Sequence, residues 1–165
     1  MKIDHPVCSF SSDRKYRYTL WREWQDLFAS KHQGIVMFIG LNPSTADEAL
    51  DDPTIRKCMG FVRRWGYAGL CMCNLFAFRA TDPKEMKKQP DPVGPENNQF
   101  LADVAKEAPL IIAAWGKHGS FMARDAAVQT LLAKRRIHCL SQNDDGSPEH
   151  PLYVPYITEP KIFRP

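Results

Sequence analysis

The 165-residue chain has no hydrophobic stretch long enough to cross a bilayer. Its longest apolar runs, Ile35 to Leu41 and Leu70 to Phe78, stop far short of the ~20 residues a spanning helix needs. The N-terminus carries Asp4, His5 and Pro6 where a signal peptide would place a basic and then an apolar stretch. No signal peptide is read, and a cytoplasmic protein without a membrane partner is expected. Cys-x-x-Cys pairs are missing too. Cys8, Cys58 and Cys139 lack zinc or iron–sulfur spacing, and Cys71 and Cys73 read as small buried thiols on one side of a strand. No metal and no cofactor is therefore expected. A phosphate loop is also lacking, because Gly40-Leu41-Asn42-Pro43-Ser44 has no Gly-Lys-Ser/Thr ending. Repeats, low-complexity tracts and linkers are absent. Charge bias is slight: 22 basic against 19 acidic residues, net +3, permits nucleic-acid binding without demanding it.

What the chain does have is an alternation of apolar runs and capped helical segments. Tyr16, Tyr18 and Leu20 alternate with Arg17, Thr19 and Trp21, which suits an edge strand or hairpin, and Trp24 to Ser30 suits a short helical turn. Ile35 to Ile39 is apolar on both faces and reads as a covered central strand. A helix is expected from Pro53 to about Trp65, capped by Asp52 or Thr54, with Ile55, Met59 and Val62 on one face. Leu70 to Leu75, Leu110 to Trp115 and Ile137 to Leu140 read as further strands. Pro95 to Ala108 and Ser120 to Lys134 read as helices, and Thr81 to Pro95 as a long loop around a short helix at Pro83 to Lys88. The expected fold is a single α/β domain over residues 1–165. It has three α/β/α layers around a mostly parallel sheet of four or five strands. Residues 1–33 form an N-terminal strand and helix extension, and residues 34–153 the core.

Polar groups sit where those strands end, the edge at which open α/β sheets bind ligands. Gly40 allows close backbone approach, Pro43 stiffens the turn, and Asn42 offers both a donor and an acceptor. Leu41 and Ser44 complete a segment that, alone, also suits a plain turn. Asn74 is poor strand filler and either closes the strand or reads a ligand edge. Phe76 and Phe78 suit the core or a stack on a flat ring, and Arg79 suits solvent or an anion. Trp115 and Gly116 end the third long strand, with Trp115 as core filler or stacking wall. His150, in Glu149-His150-Pro151-Leu152-Tyr153, lies in a turn-rich loop with no packing reason for a histidine.

Together these segments resemble the uracil-DNA glycosylase superfamily, and more closely its DUF1643-type relatives. The resemblance spans about Ile35 to Tyr153. It is carried by Gly-Leu-Asn-Pro-Ser-Thr-Ala-Asp, Asn-Leu-Phe-Ala-Phe-Arg-Ala-Thr-Asp-Pro, Pro-Val-Gly-Pro-Glu-Asn and His-Pro-Leu-Tyr. It implies a uracil-DNA glycosylase-like fold and a base-excising enzyme acting on an unusual base in DNA. Asn42 would hold the attacking water and His150 would donate to the base oxygen. Asn74 would read the base edge, with Gly40, Leu41, Pro43, Ser44, Phe76, Arg79 and Trp115 around the substrate. Tyr153 would wedge into the duplex as the base flips out. A neutral asparagine orients water but takes its proton poorly, so turnover is expected to be slow unless Asp47, Asp51 or Asp52 reaches the water. Residues 81–95 and the Arg17/Tyr18/Trp21 segment have no clear counterpart in the superfamily and would reshape the pocket for a modified base, a free nucleotide or nothing nucleic at all. The competing expectation is a non-catalytic binder that holds a nucleotide or nucleobase in the same pocket.

Overall fold

The computed structural model describes residues 6–24 and 34–165. The helical turn expected at Trp24 to Ser30 falls almost wholly outside them. The chain enters through two strands, β1 (Cys8–Phe10) and β2 (Arg17–Glu23), followed by β3 (Ile35–Gly40). Helix α1 (Pro53–Trp65) leads to β4 (Gly69–Asn74), a short α2 (Pro83–Lys87) and α3 (Asn97–Glu107). The C-terminal part holds β5 (Ile111–Ala113), α4 (Arg124–Leu131), β6 (Ile137–Cys139) and β7 (Lys161–Ile162).

All seven strands join one sheet in the order β1-β2-β4-β3-β5-β6-β7. The inner four, β4-β3-β5-β6, run parallel, while β1, β2 and β7 pair antiparallel at the two edges. The sheet is thus mixed and larger than the expected four or five mostly parallel strands. Antiparallel edge strands need no crossover helix, so alternation of helix and strand cannot count them. The two-residue β7 is too short to carry a pattern.

Both faces of the sheet are covered. Val36, Phe38, Leu70, Met72 and Ile112 point toward α1, where they meet Ile55, Phe61, Val62 and Trp65. Met37, Ile39, Cys71, Cys73 and Ile111 point the other way, toward Leu101, Val104 and Val128 of α3 and α4. This explains why β3 and β4 are apolar on both faces until the last residue of β4, Asn74. Cys71 and Cys73 are fully buried with sulfurs 3.7 Å apart, and all five cysteines are free thiols. Helix α1 starts and stops on local signals. The Asp52 carboxylate accepts from the Ile55 N–H, Pro53 takes the first turn, and Gly66 at φ 82° closes the helix with bonds back to Arg63 and Val62. Its buried stripe is Ile55, Cys58, Phe61, Val62 and Trp65, with Met59 only half-buried.

The chain departs from simple periodicity in two places. The helix expected from Ser120 begins later. Lys117–Ala123 wind as 3-10 turns, Met122 and Ala123 take positive φ of 54° and 51°, and α4 starts at Arg124. That break seats the Phe121 ring against Phe76 at 5.7 Å. The second departure is a β-bulge. Ser9 pairs with Thr19 but Phe10 pairs with Arg17, so Tyr18 is an extra residue in β2. Thr19 accepts from the Trp21 indole on the α3 side, and Tyr18 stacks on Phe100 of α3 at 4.8 Å. Arg17 therefore returns to the α1 side, where Leu20 also packs. Strict alternation would have sent it across the sheet with Thr19.

Candidate functional site

The chain runs from β3 outward to β4 on one side and returns to β5 on the other. In open α/β sheets the crevice beyond the carboxyl ends of such strands is the ligand site. Here it is a cavity of about 550 Å³, a size suited to a nucleotide-sized ligand. Gly40, Leu41, Asn42, Ser44, Asn74, Trp115, His150 and Tyr153 all line it. Residues up to 113 positions apart in sequence are thus brought to one place. Three of the expected site residues are not in its wall. Pro43 is buried and its carbonyl accepts from Ala80 N–H. Phe76 is a core ring on Phe121, and Arg79 lies over the Phe10 ring at 4.8 Å. The sequence marks these as neighbours of the strand-end turns, but both Phe76 and Arg79 lie beyond the end of β4, where Phe76 turns into the core and Arg79 away from the cavity.

The first wall is the 40–44 turn. Leu75 N–H donates to Gly40 and Phe76 N–H to Leu41, which ties the turn to the end of β4. A Cβ on Gly40 would stand 2.8 Å from the Asn74 side-chain oxygen, so glycine is required for Asn74 to lie over the turn. Asn42 donates its amide nitrogen to Ala80 O at 2.7 Å and Pro43 O at 3.1 Å. Its carboxamide oxygen is the end left for a ligand or water.

Asn74 is 3% exposed, and its side-chain nitrogen has no partner among the described residues. A buried amide donor left unpaired costs roughly 1–3 kcal/mol, and this one lines a cavity. From behind, its backbone is held firmly. Asn97 donates to the carbonyls of Asn74 and Leu75, both at 3.0 Å, and Arg124 Nε donates to Leu75 O at 2.7 Å.

His150 caps the 3-10 turn at Pro151–Tyr153, its Nδ1 accepting from Leu152 N–H at 3.2 Å. That bond places the ring proton on Nε2, so the neutral ring is a donor. Burial holds its pKa below the ordinary 6.5, against a weaker opposite pull from Asp52. Trp115 is 2% exposed, set edge-on to Phe163 and close over Gly119, so it is both core and wall. Tyr153 is 75% exposed at the rim, 5.9 Å from the His150 ring.

Of the three acids that could approach Asn42, only Asp52 lines the cavity. Asp47 accepts from the Ala49 and Leu50 N–H groups, and Asp51 pairs with Arg22 at 2.7 Å. The residue that sequence reasoning missed is Arg17. It is 2% exposed and lines the cavity; its Nη1 donates to Ala46 O at 2.8 Å, while Nε has no partner among the described residues. Burial lowers its pKa to about 10, so it stays cationic at neutral pH. The bulge hid it. Lys117 and His118, following Gly116, also reach the wall, as does Thr81 from the long loop. No group of three or more His, Cys, Asp or Glu side chains arranged for a metal occurs among the described residues. No helix among them is long and apolar enough to cross a membrane.

Neither a curated protein nor a solved structure matches the chain. A family described as "Protein of unknown function (DUF1643)" matches residues 17–152, from Arg17 of β2 through the turn that His150 caps. With four-fifths of the sequence inside that match, including every polar residue of the cavity wall except Tyr153, the chain belongs to the DUF1643 family.

Proposed function

We propose that the protein hydrolyses the N-glycosidic bond of an unusual or modified base flipped out of DNA into this cavity. The observation that carries the reading is the meeting of Asn42, Asn74, His150 and Asp52 in one cavity. Each has a distinct job. The unpaired Asn74 amide nitrogen would donate to the base edge, and the polar donor's isolation would then end on binding. Asn42 would orient a water through its carboxamide oxygen.

In the reaction, water oxygen bonds to the sugar C1′ as the C1′–N bond breaks. The bond pair leaves with the base, whose negative charge spreads to its oxygen. The His150 Nε2–H donates to that oxygen as the charge develops, when a fixed donor is worth most. The water's proton passes to Asp52, whose other carboxylate oxygen caps α1. Asp52 supplies the base that the neutral Asn42 cannot, which favours hydrolysis over passive binding. The exposed Tyr153 at the rim would fill the gap left in the duplex. A uracil-DNA glycosylase-like architecture belongs to the same proposal, supported by polar residues at three successive parallel strand ends.

The test is incubation with single- and double-stranded oligonucleotides bearing a panel of altered bases, read by strand cleavage at abasic sites. Abasic sites at one or more of those bases are expected. Binding of the same strands with no abasic product at any base would instead leave the non-catalytic nucleotide binder.

A further inference from the structure

Arg17 has no use in that reaction, yet it is among the most enclosed charges in the molecule. Its Nη1 bond to Ala46 O is the only hydrogen bond its guanidinium makes among the described residues. No carboxylate among them lies within 4 Å of it, since the ion pairs there involve other cations. Asp52 acts on it only through space. Taking an ion out of water without a partner costs several kcal/mol. The strand is also irregular at this point, because the bulge at Tyr18 is what turns Arg17 toward the cavity. A guanidinium with free N–H groups matches the oxygens of phosphate, and such charge-assisted bonds are the strong ones. Lys117 adds a second positive charge to the wall, and the first turn of α1 presents the positive end of its dipole there. Asp52 is the one acidic side chain opposing them in that wall.

We propose that Arg17 is the phosphate-binding residue of this cavity, so that the ligand is recognised as a nucleotide and not as a bare base or nucleoside. This rests on the cavity being a nucleobase site but not on any bond being broken there. The phosphate comes either from a free nucleotide or from a DNA strand, and the chemistry at Arg17 is the same.

The experiment is thermal unfolding and titration calorimetry in phosphate-free buffer. Ligands are a panel of nucleoside 5′-monophosphates, the matching nucleosides, inorganic phosphate, and a short single-stranded oligonucleotide. A phosphate-bearing ligand should bind at least tenfold more tightly than its nucleoside, and inorganic phosphate should compete with it. Arg17→Met should fold and lose this preference, weakening phosphate-bearing ligands about ten- to a hundredfold while leaving nucleosides unchanged. Arg17→Lys, which keeps the charge but not the fork, should fall between. Tight oligonucleotide binding without mononucleotide binding, lost in Arg17→Met, would name the strand as the source. Equal binding of nucleotides and nucleosides by the wild-type chain would overturn the proposal, whether or not Arg17→Met folds. So would Arg17→Met binding nucleotides as the wild type does. A chain that shows the phosphate preference but makes no abasic sites retains this subsite and loses only the hydrolase reading.

Discussion

Two buried arginines flank the end of β4, and they are treated in opposite ways. Arg124, 6% exposed on the α4 side, spends its Nε on Leu75 O and its Nη2 on Asn98 Oδ1, both at 2.7 Å. Arg17, 2% exposed on the α1 side, has a single carbonyl and an unpaired Nε. The same contrast holds for two asparagines. The Asn97 side-chain nitrogen binds two carbonyls, while the Asn74 nitrogen binds none. Toward α3 and α4 both side chains are finished as donors when the chain folds, and the unpaired Asn97 Oδ1 there lies outside the cavity wall. The other pair is left short of partners, and a ligand can supply them. The finished side is what holds the unfinished side in place, because Asn97 and Arg124 grip the backbone that carries Asn74.

The contrast predicts that substitutions divide into those that damage chemistry and those that damage the fold. The largest effect is expected at His150. Under the proposed hydrolysis, His150→Ala should lower kcat about 10²–10³-fold, the usual cost of losing one donor to a developing oxyanion. Substrate binding should suffer much less, because the base oxygen becomes charged only as the bond breaks. Single-turnover kinetics beside a binding titration separate the two. A matched loss of binding and rate would place His150 on the finished side after all.

Arg124→Met comes next. It leaves Leu75 O with Asn97 as its remaining donor and Asn98 Oδ1 with none from Arg124, and urea unfolding should show a loss of about 1–3 kcal/mol. Arg17→Met, by contrast, removes an enclosed charge without an ion-pair partner, which offsets the Ala46 carbonyl left without its donor, and the free protein should lose less stability than Arg124→Met does. If both variants unfold equally early, the distinction between the two arginines fails.

The smallest effect concerns pH. Burial holds both His150 and His138 below the ordinary value of 6.5. The unfolded chain then binds protons more readily than the folded one, so stability is full above about pH 6.5 and declines as pH falls through the lower folded values. Protonated His150 also cannot accept from Leu152 N–H. Melting followed from pH 8 to pH 5 should show this decline, and His150→Gln should flatten part of it. A melting temperature that rises on acidification would contradict the assignment.

How much of this was legible before the fold was known depends on the residue. Alternating helix and strand pointed to the parallel core, since β3 and β4 are apolar on both faces up to Asn74 and α1 carries its own caps. Gly40, Asn42 and Asn74 stood out because polar or glycine residues at the end of an apolar run need a reason, and His150 because a histidine in a turn-rich loop has no packing reason. The mixed edges were hidden, because short antiparallel strands add no periodic signal. Phe76 and Arg79 lie away from the cavity because adjacency to a site in sequence is not adjacency in space; beyond the end of β4 the chain turns Phe76 into the core and Arg79 onto Phe10. Asp52 was recognisable as a helix cap, but only the packing of α1 shows that the cap opens on the cavity. The segment holding Arg17 was legible as one that could reshape the pocket, but Arg17 itself was not, since its place depends on one residue more in β2 than its partner strand has.

That extra residue makes the length of β2 a property of the cavity as well as of the sheet. A strand writes its two faces in odd and even positions, and Tyr18 resets the count. One residue inserted in β1 between Ser9 and Phe10 would pair Tyr18 and straighten β2, leaving every side chain from Thr19 onward unmoved and every chemical group near the cavity intact in the sequence. It would nevertheless carry the arginine to the opposite face of the sheet, the side on which Thr19 lies. A single insertion would then act as a loss of charge in the cavity with no charged residue altered. Any alignment of relatives drawn without a gap at this point would compare the wrong residue with Arg17.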